Sequence, residues 1–140
     1  MVEKTRYLLD SDIVITMLRD RTDKSGLRQK ALNVGLENCY VSSVTLAELS
    51  SGAYRMPSER GFHELAFVKT IFNILPFGDV NSNDSDIFGR CKSLLYASGT
   101  PIDDMDLMIG SSAAARGLVM VTHNTRHFSR IPDLVVEDWL

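Results

Sequence analysis

Residues 118–121 read Leu-Val-Met-Val, an apolar run with no polar residue in it. A strand with one wet face alternates apolar with polar, so this run fits only a strand covered on both faces. Sheets covered on both faces belong to α/β proteins, where helices cross over between parallel strands. Other short apolar stretches fit the same scheme. Residues 6–9 predict a buried first strand that stops at Asp10, residues 39–41 a second, residues 74–77 a weak third, and residues 135–137 a last one. Helical spacing fills the intervals. Leu27, Ala31, Leu32 and Leu36 recur over residues 25–36, and Phe62, Leu65, Phe67, Ile71 and Phe72 over residues 61–72. Further helices are expected from Ser11 or Asp12, as caps, through Leu18, and from Ser42 or Ser43 to about Tyr54. Two more are expected over residues 86–97, after a polar loop that begins at Asp79, and over residues 104–116, where Gly117 ends the helix.

The chain has 140 residues, expected to form one domain over residues 1–140. At 44% hydrophobic and 24% charged it can bury a core without disulfides or structural zinc. Cys39 and Cys91 show no Cys-x-x-Cys spacing and read as thiols in a reducing compartment. Eighteen acidic residues against 15 basic give a net charge of -3, which excludes nucleic-acid binding by bulk positive charge. No apolar run reaches the roughly 18 residues needed to span a bilayer. Asp10 and Asp12 break the N-terminal apolar stretch, so a cytoplasmic protein with no membrane partner is expected.

In a parallel sheet, sites form beyond the carboxyl ends of the strands. Asp10 follows the first strand, and Glu48 lies on the helix after the second. Thr122 and Asn124 follow the apolar run, and Asp103, Asp104 and Asp106 open the helix before it. Singly, each has a plainer use: Asp10 as a helix cap, Glu48 as a solvated side chain, the three later acids as partners of a helix dipole. Together at one sheet edge their charges repel, so that either some protonate or a cation holds them. Hard oxygen donors select Mg2+ or Mn2+. His123 and Arg126 lie beside this edge as candidate RNA contacts, while His63 and His127 read as surface or structural residues. The other basic residues, among them Arg19, Arg21, Arg28, Lys30 and Arg130, read as a solvated face. Tyr54, Phe128 and Trp139 can stack on bases, although core packing is the default use of an aromatic.

Four blocks in order give the chain a family resemblance that runs nearly end to end. YLLDSDIVI, VSSVTLAEL, GTPIDDMDLMIGSSAAARGL and VMVTHNTRHFSRIPDLVVEDW resemble the motifs of the PIN-domain ribonucleases, specifically the toxin subunits of VapBC-type toxin–antitoxin pairs. The resemblance implies a PIN-like α/β/α sandwich, with a central, mostly parallel sheet of four to five strands flanked by helices. It implies an Mg2+- or Mn2+-dependent endoribonuclease that acts as a toxin, is neutralised by a cognate antitoxin and pairs as a homodimer. Asp10, Glu48 and Asp106 match the metal-binding acids. Asn124 falls where many members place a fourth acid, with Asp103 close by, and Thr122 matches a supporting hydroxyl. The opening motif departs from the family's Asp-Thr-Asn. Ser11 keeps the hydroxyl, and Asp12 adds a charge that can cap the helix or reach a metal through water.

Two other readings compete. Asp10-x-Asp12 after a first strand also resembles a haloacid-dehalogenase-like phosphatase, with Asp10 as nucleophile and Asp12 as acid/base partner. That family's usual Gly-Thr continuation is missing, and VSSVTLAEL goes unexplained. A catalytically degenerate PIN fold that only binds a partner is the non-enzyme alternative.

Overall fold

The computed structural model describes residues 4–75 and 80–140. Among the described residues four strands form one sheet: β1 (Tyr7–Leu9), β2 (Cys39–Tyr40), β3 (Val119–Val121) and β4 (Val136–Glu137). Their order is β2-β1-β3-β4, and every neighbouring pair is parallel. Seven α-helices among the described residues surround them: α1 (Ser11–Arg19), α2 (Leu27–Val34), α3 (Ser43–Tyr54), α4 (Ser58–Ile74), α5 (Ser82–Ala97), α6 (Asp104–Arg116) and α7 (Thr125–Phe128). This is an α/β sandwich with a wholly parallel four-stranded sheet, at the lower end of the expected strand number.

The register explains the unbroken apolar run. Leu8 pairs with Tyr40 and Met120, and Met120 with Val136, so the four share one row of the sheet. All four pack on one face, with Leu95, Leu107, Ile109 and Phe128 from α5, α6 and α7. The next row, Leu9 and Val121, points to the other face. There it meets Ile13, Val14, Leu27, Ala31 and Ile71 from α1, α2 and α4. Both faces are dry, so neither parity of the strand has a place for a polar residue.

Three expectations about elements need correction. Residues 74–77 do not open a strand. Ile74 closes α4, and the buried spacing Val68, Ile71, Leu75 carries the helical period through that point. Residues 76 and 77 of that expectation lie outside the described residues, as does Asp79 at the head of the expected loop. Helix α5 begins earlier than residue 86, because Asn81 and Asp84 form a reciprocal capping box. The helix expected over residues 25–36 is shorter: Gly35, at φ 94°, ends α2, and residues Leu36–Asn38 make a 3-10 turn into β2. The single-turn helix α7 had no sequence signal strong enough to predict it.

One buried ion pair braces the second layer. Asp84 is fully buried at the start of α5 and lies 3.0 Å from the Arg116 guanidinium at the end of α6. Strand β1 is buried on both faces, so trimming it leaves a hole that neither layer can fill. Leu8→Ala is expected to destabilise the protein by about 2–5 kcal/mol, read as a lower urea midpoint at unchanged slope.

Candidate active site

Strands β1 and β3 are neighbours and end on the same edge, and this alone brings two distant segments together. The Asp10 backbone N–H donates to the Val121 carbonyl at 2.9 Å, the last rung of the ladder. Asp10 then turns the chain and is itself the N-cap of α1, where its Oδ1 accepts the Ser11 N–H at 2.9 Å. The expectation that Ser11 or Asp12 caps this helix is thus corrected. Asp10 sits half in the strand and half in the helix, which is the cap position. The Thr122 hydroxyl donates to Asp10 Oδ2 at 2.8 Å. Both residues are buried.

Glu48 comes from the middle of α3, which starts at the Ser42 cap just beyond β2. It is half-buried, and its Oε1 is enclosed with no hydrogen-bond partner. Asp106 lies in the first turn of α6, also half-buried. Asp103 is the cap of that helix: its carboxylate accepts the Met105 and Asp106 N–H groups at 3.1 and 3.4 Å, and it is exposed. Asp104 points away, 3.0 Å from Lys92 on α5.

Burial and mutual repulsion act together on these carboxyls. Burial pushes Asp10 up from 3.8 to about 6, helped by the charges of Asp12 and Asp106 and opposed by its hydrogen bonds to Thr122 and Ser11. Glu48 rises from 4.5 to about 7, first through burial and then through Asp106, Asp10 and Asp103. Asp106 is raised by burial and by Asp103, with His127 pulling the other way. The structure therefore brings Asp10, Glu48 and Asp106 into one electrostatic cluster, with Asp12 and Asp103 at its margin. Among the described residues no three His, Cys, Asp or Glu side chains already stand grouped as a metal cage. The donor set nevertheless suits a hard cation. Its donors are carboxylate oxygens, their charges are unfavourable in the bare protein, and one enclosed oxygen lacks a partner.

Asp12 does not face this cluster as an acid/base partner would. Its Oδ2 accepts the His123 N–H at 3.0 Å and its Oδ1 the Ile13 N–H at 2.7 Å, so it pins the loop after β3 to α1. That geometry disfavours the phosphatase reading, which needs Asp12 as a proton donor. His123 is exposed, and its ring lies 3.0 Å from Asp138. Arg126 is exposed on α7. Asn124 donates its backbone N–H to the Thr122 hydroxyl at 2.9 Å, and its Nδ2 lies 2.9 Å from His127 Nδ1. The ring of His127 thus stands inside the site's polar network. The i, i+3 spacing of Asn124 and His127 was the available signal, but it carries meaning only once α7 is known to be helical.

Several other candidates have structural uses. Phe128 is fully buried, and Trp139 packs edge-on to Tyr7 with ring centroids 5.2 Å apart. Tyr54 is exposed. Arg19 pairs with Glu64, Arg28 with the Asp20 carbonyl, and Arg130 with the Pro101 carbonyl. Among the described residues no helix is long and apolar enough to cross a membrane.

Comparison with known proteins gives concordant results. The family model of the PIN domain matches residues 7–134. The chain is 33% identical over 135 residues to a tRNA(fMet)-specific endonuclease VapC of Salmonella typhimurium, covering 96% of this chain and 98% of that one. It is 31% identical over 135 residues to ribonuclease VapC2 of Haemophilus influenzae, with coverage of 96% and 98%. Among solved structures, it superposes on a chain of DNA-bound VapBC from Salmonella typhimurium with a TM-score of 0.85 at 31% identity, covering 97% and 99% of the two chains. A chain of VapBC2 from Rickettsia felis, bound to a fragment of its promoter, gives 0.84 at 25% identity, covering 97% and 100%.

The raised carboxyls set a pH dependence. Asp10 and Glu48 bind protons more tightly in the folded chain than in the unfolded one, so their protonation favours folding, in full below about pH 4. That contribution is lost as the pH rises to about 6 and 7. In EDTA, Glu48→Gln is expected to be more stable than the parent at pH 8 by about 1 kcal/mol, a figure discounted for partial exposure, and nearly equal at pH 4.5. Urea melts at the two pH values check this. A variant less stable at pH 8 contradicts it.

Proposed function

The chain belongs to the PIN-domain family, among its VapC ribonucleases, and from that premise we propose that it is a metal-dependent endoribonuclease, the toxin of a toxin–antitoxin pair. The observation that carries the reading is the convergence of Asp10, Glu48 and Asp106 at one sheet edge, where each raises or is raised by its acidic neighbours. Asp10, Glu48 and Asp106 would hold Mg2+ or Mn2+, with Asn124 and Asp103 as further oxygen donors at the rim. A divalent ion bound there supplies a Lewis acid for the scissile phosphate and for the attacking water. The chain's own contribution is placement. Thr122 and the Ser11 N–H hold Asp10 in one orientation, and Asp12 ties the following loop to α1. Glu48 and Asp106 present half-buried carboxylates at the same edge. In the net reaction a water oxygen bonds to phosphorus, one backbone P–O bond breaks, and the leaving oxygen is protonated. His123 and Arg126, exposed beside the cluster, contact the RNA backbone.

An apolar groove of about 250 Å³ runs between α1, α3 and α4, lined by Ile15, Leu18, Leu49, Met56 and Phe67. Ser11 and Glu48 also line it. An antitoxin segment seated there would lie against Glu48, and the structural neighbours that are VapBC complexes support such a partner. The protein is proposed to act in the cytoplasm, where such RNA resides.

The test is cleavage of a labelled RNA pool that includes initiator tRNA, using antitoxin-free protein. Cleavage is expected with Mg2+ or Mn2+, to stop in EDTA, and to fall about 100-fold or more in Asp10→Asn. Turnover of phosphomonoesters without RNA cleavage would instead support the phosphatase. Metal binding with neither activity would support the degenerate module.

A further inference from the structure

Asp10 and Asp106 lie far apart in the sequence, and a run of polar contacts leads from the first to within 4.0 Å of the second. The Thr122 hydroxyl donates to Asp10 at 2.8 Å, and the Asn124 backbone N–H donates to the Thr122 Oγ1 at 2.9 Å. The Asn124 side-chain nitrogen lies 2.9 Å from His127 Nδ1, and that same Nδ1 stands 4.0 Å from Asp106 Oδ2. The last gap is too long for a hydrogen bond. An amide NH2 group only donates, so Nδ1 is the acceptor and the neutral ring carries its proton on Nε2. With one N–H committed to His127, Asn124 keeps its second N–H and its Oδ1, and of these only Oδ1 can ligate a cation. Oδ1 is a hard oxygen donor. The reversed amide would put Oδ1 on His127 and leave only N–H groups free, which cannot ligate a cation.

We infer that His127 is a positioning residue: its Nδ1 fixes the Asn124 amide so that Oδ1 joins the Asp10–Asp106 carboxylates as a ligand-side oxygen for a divalent cation. The inference rests on the metal-dependent reading above and adds a residue to it. It also accounts for an Asn in place of an acid. Held in this orientation, Asn124 contributes an oxygen without adding another negative charge to a cluster already crowded with them. His127 acts only through Asn124 and is not itself a ligand. Groups that orient metal ligands from outside typically change metal affinity by about 10–100-fold when removed.

Two variants separate this role from a merely structural one. His127→Ala removes the acceptor. His127→Asn places an Oδ1 where Nδ1 stands and so keeps it. Mn2+ affinity is measured by calorimetry on the full chain without RNA or antitoxin, beside thermal melts in EDTA. His127→Ala is expected to bind Mn2+ about 10-fold more weakly or worse, and His127→Asn to recover most of the loss. Nitrogen-15 imidazole shifts of the metal-free parent at pH 8 are expected to show the Nε2–H tautomer for His127. Should the alanine variant fail to fold, the asparagine variant and the tautomer still decide. Parental affinity in His127→Ala, no recovery in a folded His127→Asn, or an Nδ1–H tautomer overturns this inference alone. A parent that binds no Mn2+ overturns the metal-dependent reading and this inference with it.

Discussion

The site depends on how Asp10 is held. Its carboxylate is buried at the end of a central strand, where losing water costs an ion several kcal/mol. Two donors, the Ser11 N–H and the Thr122 hydroxyl, compensate in part, each worth about 1.5–3 kcal/mol to a charged acceptor. Burial wins, which is why the group is pushed up to about 6 rather than down. Glu48 is worse placed, with an enclosed oxygen that nothing bonds. A fold that repeatedly exposes carboxylates to one another and withholds partners from them is shaped for a positive charge arriving from outside.

The sheet makes this geometry unavoidable. Parallel pairing of β1 with both β2 and β3 sends all three strands to the same edge, so Asp10, the α3 cap Ser42 and Thr122 emerge side by side. Helix α6 then delivers Asp106 from its first turn, because Asp103 caps it there. The same caps that start the helices therefore aim the functional side chains. In the case of Asp10, cap and site residue are one atom group. A cap and a ligand, alternatives when the sequence alone is considered, do not exclude each other in such a carboxylate.

Much of the fold was legible for physical reasons that act locally. Residues 118–121 announce a strand dry on both faces, and the α6 boundaries follow from Asp103 and Gly117, a cap and a left-handed stop. The weak third strand was misread because Ile74 and Leu75 look apolar in either period. Only the burial of Val68 and Ile71 on the same stripe shows the helix running on. The acids of the candidate site were picked out by their places relative to the strands, which put several at one sheet edge, and the family motif then singled out Asp10, Glu48 and Asp106. Their environment was not legible, since whether Asp12 faces the cluster or the His123 backbone depends on a loop from the far end of the chain. His127 was passed over for the same reason. Its meaning lies in a single-turn helix that no pattern of caps or periods signals.

The central claim is that Asp10, Glu48 and Asp106 together form a divalent-cation site. The most direct measurement is the anomalous scattering of Mn2+ in crystals of the protein grown at saturating Mn2+. The account predicts one or more peaks within about 2.0–2.3 Å of oxygens from at least two of these three residues, absent when Asp10→Asn is crystallised in the same way. Peaks only elsewhere on the surface, or none at all, would contradict it.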